Sequence, residues 1–349
     1  MRETWVIKIG SSLVTKSPTG LDVKNIRSWA SQINEIINNN INVIIVSSGA
    51  IAEGMNRLGL VKRPNSSSQL QALAAIGQMG LIKAYEVSFK KYGLLTAQML
   101  LTHEDLSDRK RYLNARNTLS NLIKYNTIPI INENDTISTD EIKFGDNDTL
   151  ASLVANLSEA KNLIILTDQN GLFTSDPKIN KSAELVENIS VTNKKLSKYA
   201  GPSNNTLGRG GMITKITAAK KAAKSNTSTI ISNGRTKNIL IKILNKEKNI
   251  GTVIYNENSA VKSKKQWIAN SLKIKGKIIV DIGAKNVIKK SGKSLLPIGI
   301  KSIEGNFQKG DMLIICGSNK VEIARGLTNY DSRQLIKIIG QSTVEITNE

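Results

Sequence analysis

Unbroken apolar runs punctuate the first half of the chain: Trp5-Val6-Ile7, Val43-Ile44-Ile45-Val46, a run over 127–131 and Leu163-Ile164-Ile165-Leu166. Uniformly apolar strands are those buried on both faces, as in a parallel sheet covered by helices. Between the first two, Val23, Ile26, Trp29, Ile33 and Ile36 recur at helical spacing. Helical patterns follow over 69–91, 106–124 and 150–157, with a further strand over 94–101. This alternation predicts an α/β domain with a mostly parallel central sheet between two layers of helices. Gly251-Thr252-Val253-Ile254-Tyr255 reads as its last strand. Beyond it, 257–273 is polar and Lys-rich, a linker by composition. From 274 onward the apolar segments are short and separated by turns, at 277–282, 295–297, 299–301, 305–310, 312–316 and 321–326. They predict a small β domain, a barrel. The expected layout is therefore 1–256, 257–273 and 274–349.

The ends of the predicted strands carry the chemistry. The first ends in Lys8 and Gly10, the second in Ser48 and Gly49, a later one in Asn132-Glu133-Asn134-Asp135 and another in Thr167-Asp168. In open α/β sheets ligands bind outside the carboxyl ends of the strands, so these groups converge on one edge. Lys8, inside an apolar strand, must reach solvent, a counter-ion or a ligand. Farther along, Gly208-Arg209-Gly210-Gly211-Met212-Ile213-Thr214-Lys215 leads into a helical run over 216–224. Such a loop is either a plain turn or a device that brings backbone amides and one lysine to a phosphate. It is not a Walker-type P-loop. The one Gly-Lys-Ser, at Gly292-Lys293-Ser294, has Val287 where that motif needs glycine. Two lysines from separate segments, Lys8 and Lys215, suit phosphoryl transfer, which needs positive charge at the moving group. Asn132 to Asp135 and Phe144-Gly145-Asp146-Asn147-Asp148 are dense in carboxylates and amides. They can hold an ammonium group, position lysines, meet magnesium indirectly, or cap a helix starting near Thr149.

Composition narrows the partners. The formal net charge is +21, yet residues 270–349 hold 13 Lys and Arg against 7 Asp and Glu, so the excess is spread rather than gathered into one arm. A solvated basic surface is the plainer reading, against a dedicated nucleic-acid groove. No apolar run approaches the roughly 20 residues of a membrane span, and the first residues lack the plan of a secretory signal. Cys316 is the only cysteine and His103 the only histidine. An internal disulfide and a zinc cage are thereby excluded, and a cytoplasmic protein is expected.

Taken together, Val6-Ile7-Lys8-Ile9-Gly10-Ser11-Ser12, Val46-Ser47-Ser48-Gly49-Ala50-Ile51-Ala52, Leu113-Asn114-Ala115-Arg116, Ile131 to Asp135, Phe144 to Asp148 and the loop 208–215 resemble the motifs of the glutamate 5-kinase family. Leu295 to Ile300 and Gly305-Asn306-Phe307 resemble the PUA domain appended to bacterial members. The resemblance implies the three-layer αβα amino acid kinase fold with a β-barrel PUA-like domain. It implies ATP with Mg2+, the metal carried by the nucleotide, and phosphorylation of the side-chain carboxylate of L-glutamate, the first step of proline biosynthesis. By motif, Lys8 and Lys215 would stabilise the moving phosphoryl group and Asp148 would orient them. Gly10 and Gly49 would offer backbone amides, and Ser48, Gly49, Asp135 and Asn147 would bind glutamate. Thr167, Asp168 and the loop Arg209, Gly210, Gly211, Met212, Ile213, Thr214 and Lys215 would hold the nucleotide. Feedback inhibition by L-proline, a homo-oligomer (dimer or tetramer) and RNA binding by the PUA-like domain are further implications. Arg209 departs from the small residue usual there, and Asn226 stands where glycine is common, a left-handed position that Asn tolerates.

Overall fold

The computed structural model describes residues 2–16, 20–138, 147–177, 179–199, 211–257, 273–291 and 294–341. They divide into two compact units, Met1–Asp105 with Asn114–Lys264, and Leu106–Leu113 with Lys265–Glu349. In chain order the elements up to residue 257 are β1 (Glu3–Ile9), α1 (Ser11–Val14), α2 (Val23–Asn38), β2 (Ile41–Ser47), α3 (Ala50–Arg57), α4 (Ser67–Lys90), β3 (Leu95–Leu101), α5 (His103–Ser107), α6 (Arg109–Lys124), β4 (Thr127–Glu133), α7 (Asn147–Leu157), β5 (Asn162–Thr167), β6 (Asn188–Ser190), α8 (Lys195–Tyr199), α9 (Met212–Ala223), β7 (Ser228–Asn233), α10 (Ile239–Leu244) and β8 (Thr252–Tyr255).

Eight strands form one sheet in the order β3-β4-β2-β1-β5-β7-β8-β6. Every pairing is parallel except β7 with β8. The parallel sheet expected from the apolar runs is present, with helices on both faces. β8 is the last strand of this sheet along the chain, as expected, and lies between β7 and β6. β1 is central, with β2 on one side and β5 on the other. The chain leaves it in one direction and later returns on the opposite side, which opens a crevice at the carboxyl ends of β1 and β5.

Alternation along β1 sorts its side chains between two faces. Trp5, Ile7 and Ile9 join a core with Ile26, Trp29, Ile33 and Ile36 of α2 and with Leu81, Tyr85 and Phe89 of α4. Val6 and Lys8 therefore face the other layer. That layer holds α7, in which every residue from Asn147 to Leu157 except Thr149 is buried, the sign of a helix enclosed on all sides. At the carboxyl edge the loops are tied sideways to neighbouring strands. Ser48 N donates to Ile9 O (3.4 Å), Gly10 N to Leu166 O (3.2 Å) and Gly234 N to Thr167 O (2.9 Å). Ser47 Oγ and the Tyr85 hydroxyl, 2.9 Å apart, pin the end of β2 to α4.

In the second unit, β9 (Ile274–Val280), β10 (Ile300–Glu304), β11 (Met312–Cys316) and β12 (Glu322–Leu327) form a sheet in the order β10-β9-β11-β12. It is not closed into a barrel among the described residues, but it is compatible with the barrel expected. Its core comprises Ile278, Val280, Ile300, Phe307, Leu313, Ile315 and Leu335. Cys316 is buried in β11. Two helices join the strands, α11 (Ile282–Ser291) and α12 (Ser332–Ile338). The strand expected over 277–282 thus stops early, because the Asp281 carboxylate accepts the Ala284 amide at 2.7 Å and starts a helix. The expected linker lies almost wholly outside the described residues.

Close packing of α3 on α4 sets where the residues after β2 sit. A Cβ at Gly77 would lie 1.8 Å from the Ala50 carbonyl oxygen, and one at Gly54 would lie 1.9 Å from that of Leu73. Both obstacles are backbone, so neither yields to a side-chain rotation. Gly77→Ala is expected to cost about 3 kcal/mol of stability, the upper end for overpacking. Urea unfolding measures it, and an unchanged midpoint would show that the two helices do not meet this closely.

Candidate active site

Three elements converge on one carboxylate. Lys8 lies near the end of β1, Asp148 in the first turn of α7 and Lys215 in the first turns of α9. Lys8 Nζ is 2.5 Å from Asp148 Oδ1, and Lys215 Nζ is 3.1 Å from Asp148 Oδ2. The exposures of Lys8 and Lys215 are 7% and 4%, and that of Asp148 is 1%. Thr214 Oγ1 lies 2.9 Å from Asp148 Oδ2 and 2.7 Å from Gly211 O, and donates to one or the other. Burial alone would push the Asp148 carboxyl up. The ammonium groups of Lys8 and Lys215, with hydrogen bonds from Lys8 and Thr214, outweigh it and hold the carboxyl below its ordinary range. A helix N-terminus adds a partial positive charge in the same sense. Two ammonium groups on one carboxylate give the trio a net charge of +1, buried at the crevice, where an anion is the natural complement.

Glycines border this group. Gly10 has no free amide to offer, since its N–H is spent on Leu166 O. A Cβ there would lie 3.3 Å from the Leu166 carbonyl oxygen, a tight contact, and 3.9 Å from Lys8 Nζ, an ordinary one. Gly49 opens α3 at φ +113°, a left-handed conformation that side chains disfavour.

Beside the charged trio lies a set of neutral donors. Asn147, next to Asp148, places Nδ2 2.7 Å from Ser48 Oγ and 3.1 Å from both Ser47 O and Asn132 Oδ1. Asn132 in turn donates to Gln78 Oε1 at 2.9 Å. Near these amides a cleft of about 240 Å3 is lined by residues of α4, β3 and the end of β4, including Gln78, Gln98, Glu133, Asp135 and Thr136. Asp135 and the buried Glu133 give it an anionic wall suited to an ammonium group. On the other flank, Thr167 ends β5 and donates from Oγ1 to Asp168 Oδ1 at 3.1 Å. Asn233, its register neighbour on β7, donates to Asn170 Oδ1 at 2.8 Å.

Residues 3–233 match the amino acid kinase family, and residues 276–349 match the PUA domain. The glutamate 5-kinase of Hydrogenovibrio crunogenus is 48% identical over 342 residues, 98% of this chain and 91% of that protein. That of Nitrosospira multiformis is 50% identical over 341 residues, again 98% and 91%. The chain belongs to the amino acid kinase family, among the glutamate 5-kinases. The solved UMP kinase of Ureaplasma parvum, which matches 73% of this kinase and 100% of its own chain at 18% identity and TM-score 0.49, is too distant to add a functional argument.

Of the residues singled out in the kinase sequence, the structure brings Lys8, Asp148, Lys215 and Thr214 together, and Ser48 with Asn147. Asp135 lines the neighbouring cleft. Thr167 and Asp168 lie at the end of β5, while Gly211 precedes α9 and Met212 and Ile213 open it. The helix therefore starts four residues earlier than the run expected at 216, and Lys215 lies near its start, as expected of it. Arg209, Gly210 and Asp146 lie outside the described residues. Asn226 takes φ +64°, the left-handed position expected of it. Sequence reading passed over Gln78, Asn233 and Arg235, whose Nη2 donates to Ser12 O at 3.3 Å. Gln78 sits on a helix of ordinary pattern, and the apolar pair Ile230-Ile231 is too short a strand signal to draw attention to the polar residues at its carboxyl end.

The lowered pKa of Asp148 has a defined consequence for stability. A carboxylate depressed in the folded state stabilises fully above its unfolded value, near 4, and the stabilisation is lost as pH falls through the folded value. Asp148→Asn, which removes the carboxylate between two buried ammonium groups, is expected to cost about 3–5 kcal/mol at pH 7. The gap to the parent protein should narrow below about pH 4, as urea unfolding across pH would show. A gap independent of pH would mean that the carboxylate is not held ionised by the lysines.

Proposed function

We propose that this kinase transfers the γ-phosphoryl group of ATP to the side-chain carboxylate of L-glutamate, giving L-glutamyl 5-phosphate and ADP in the first step of proline biosynthesis. The observation that carries the reading is the buried Lys8–Asp148–Lys215 trio at the carboxyl edge of the sheet, flanked by neutral amides, in a chain about half identical to glutamate 5-kinases. A carboxylate oxygen of the acceptor attacks the γ-phosphorus, the bond to the β–γ bridging oxygen breaks, and ADP leaves with the electron pair. The acceptor is already an anion, so no base has to remove a proton. Catalysis is then alignment and charge stabilisation.

In this reading Lys8 and Lys215 face the phosphoryl oxygens while Asp148 holds the two ammonium groups apart at a fixed spacing. Ser48, Gly49 and Asn147 orient the acceptor carboxylate, and Asp135 receives the α-ammonium group. Gly10 leaves room for the phosphate. Thr167, Asp168 and the segment Gly211 to Lys215 border the nucleotide, and Arg209 and Gly210 are assigned to it by motif alone. Among the described residues no cluster of three or more carboxylate, imidazole or thiol groups could hold a metal by itself. The carboxylate at the centre is engaged by lysines, a donor set that fits Mg2+ arriving on the ATP phosphates, where it would offset their negative charge.

L-Proline as a feedback inhibitor belongs to the same reading, because it carries the ammonium and carboxylate that the Asp135 cleft is suited to hold. Assembly into a homo-oligomer is supported by the exposed apolar residues Leu58, Leu60, Val61 and Met79. A cytoplasmic location follows from the substrates. No described helix is long and apolar enough to cross a membrane. The PUA match favours a second role, RNA binding. Salt-dependent binding of the intact protein to a short RNA would test it.

Two measurements test the central reading. In an acceptor panel, ADP release should require L-glutamate, with aspartate, N-acetylglutamate, carbamate and UMP inactive; turnover with one of these and none with glutamate would overturn it. Lys8→Ala and Lys215→Ala should each lower kcat by about 100- to 1,000-fold, the scale for losing one transition-state charge partner. The KM for glutamate should move far less. An unchanged kcat in both variants would remove the lysines from the reaction.

A further inference from the structure

Three side-chain amides run in line from β2 to the cleft, and their polarity is dictated from one end. Asn147 Nδ2 faces the Ser47 carbonyl oxygen at 3.1 Å. A backbone carbonyl only accepts, so the nitrogen of Asn147 must point that way. The same nitrogen meets Asn132 at 3.1 Å, and an Asn132 nitrogen there would set donor against donor. Asn132 therefore turns its oxygen to Asn147 and its nitrogen to Gln78, whose Oε1 accepts at 2.9 Å. With its oxygen engaged, Gln78 ends the line as a donor. Its Nε2 is shielded from water and has no hydrogen-bond partner among the described residues, and the residue is 9% exposed. A buried amide nitrogen left this way costs about 1–3 kcal/mol.

Gln78 lines the same cleft as Glu133 and Asp135. Those two carboxylates suit a ligand's ammonium group, whereas a lone donor calls for an acceptor oxygen. An α-amino acid presents both on neighbouring atoms. We infer that Gln78 Nε2 donates to the α-carboxylate of L-glutamate and is a specificity residue for the acceptor. The inference rests on the reading of this cleft as the acceptor's. The side-chain carboxylate of the substrate then points along the amide line toward Ser48, Asn147 and the lysines. Selectivity follows from the orphan donor, since an acceptor without an α-carboxylate leaves it unsatisfied.

Steady-state kinetics of two variants of the full chain test this. Gln78→Glu keeps the oxygen that Asn132 donates to and removes the donor; Gln78→Met removes both. For each, the KM for glutamate should rise about tenfold or more while the KM for ATP stays within about twofold, as loss of one substrate hydrogen bond predicts. The inhibition constant of 4-aminobutyrate, which is glutamate without its α-carboxylate, should not change. If Gln78 only braces Asn132, Gln78→Glu behaves as the parent protein and Gln78→Met alone is impaired. That result, or KM values for glutamate and ATP rising together, overturns the inference. A parallel weakening of 4-aminobutyrate overturns it as well. Thermal unfolding confirms that each variant is folded; if Gln78→Glu is not, Gln78→Met decides the matter through its inhibition constant for 4-aminobutyrate, unchanged under the inference and weakened if Gln78 only braces Asn132. Failure of the underlying reading shows itself separately, as a parent protein without glutamate-dependent ADP release.

Discussion

Two ammonium groups and one carboxylate, nearly sealed from water, set the terms for this domain. Each lysine is tolerable in the interior because Asp148 lies against it, and Asp148 stays ionised because both lysines do. Such an arrangement demands that three distant segments be held within a fraction of an ångström. The fold meets the demand by placing Lys8 on the central strand, Asp148 on a helix enclosed on all sides and Lys215 on a helix packed against it. Burial keeps the charges strong, and the sideways hydrogen bonds at the carboxyl edge keep them in place.

The neighbourhood of the trio is divided by chemistry. In the proposed reading the groups on the phosphoryl side are charged, as suits a transferred group that carries negative charge itself. On the acceptor side they are neutral amides and a hydroxyl. A cation there would draw the acceptor carboxylate into a ground-state ion pair and blunt it as a nucleophile. Amides orient it at smaller electrostatic cost. The anionic wall of the cleft lies beyond them, where an ammonium group can use it without competing for the lysines.

Much of this was legible in the chain. Uniformly apolar runs announced a doubly covered parallel sheet, because a strand buried on both faces has no polar side to show. The polar strand ends followed from the same logic, and Lys8 stood out because a lysine within such a run needs a reason. Other parts were hidden for physical causes. β7 has only two consecutive apolar residues and is held by its neighbours rather than by its own pattern. The start of α9 was misplaced because Gly211-Met212-Ile213-Thr214 has no strong helix signal, and only the fold shows Thr214 turned toward Asp148. Gln78 was invisible because a glutamine on a helix means nothing until the polarity of its amide is known. That polarity comes from a carbonyl on another strand.

Asn147 and Asp148 are adjacent, yet one serves the neutral donors and the other the charged trio. Successive helical residues point about 100° apart, so a single turn of α7 aims into both halves of the site. Any slide or rotation of that helix would disarm the two halves at once, and natural variation cannot retune one through α7 without disturbing the other. If the proposed reading of the cleft holds, evolution toward a new acceptor on this scaffold is channelled to α4 and the end of β4, which line the cleft without contributing to the charged trio. The first turn of α7 is thus the common anchor of the neutral and the charged halves of the site.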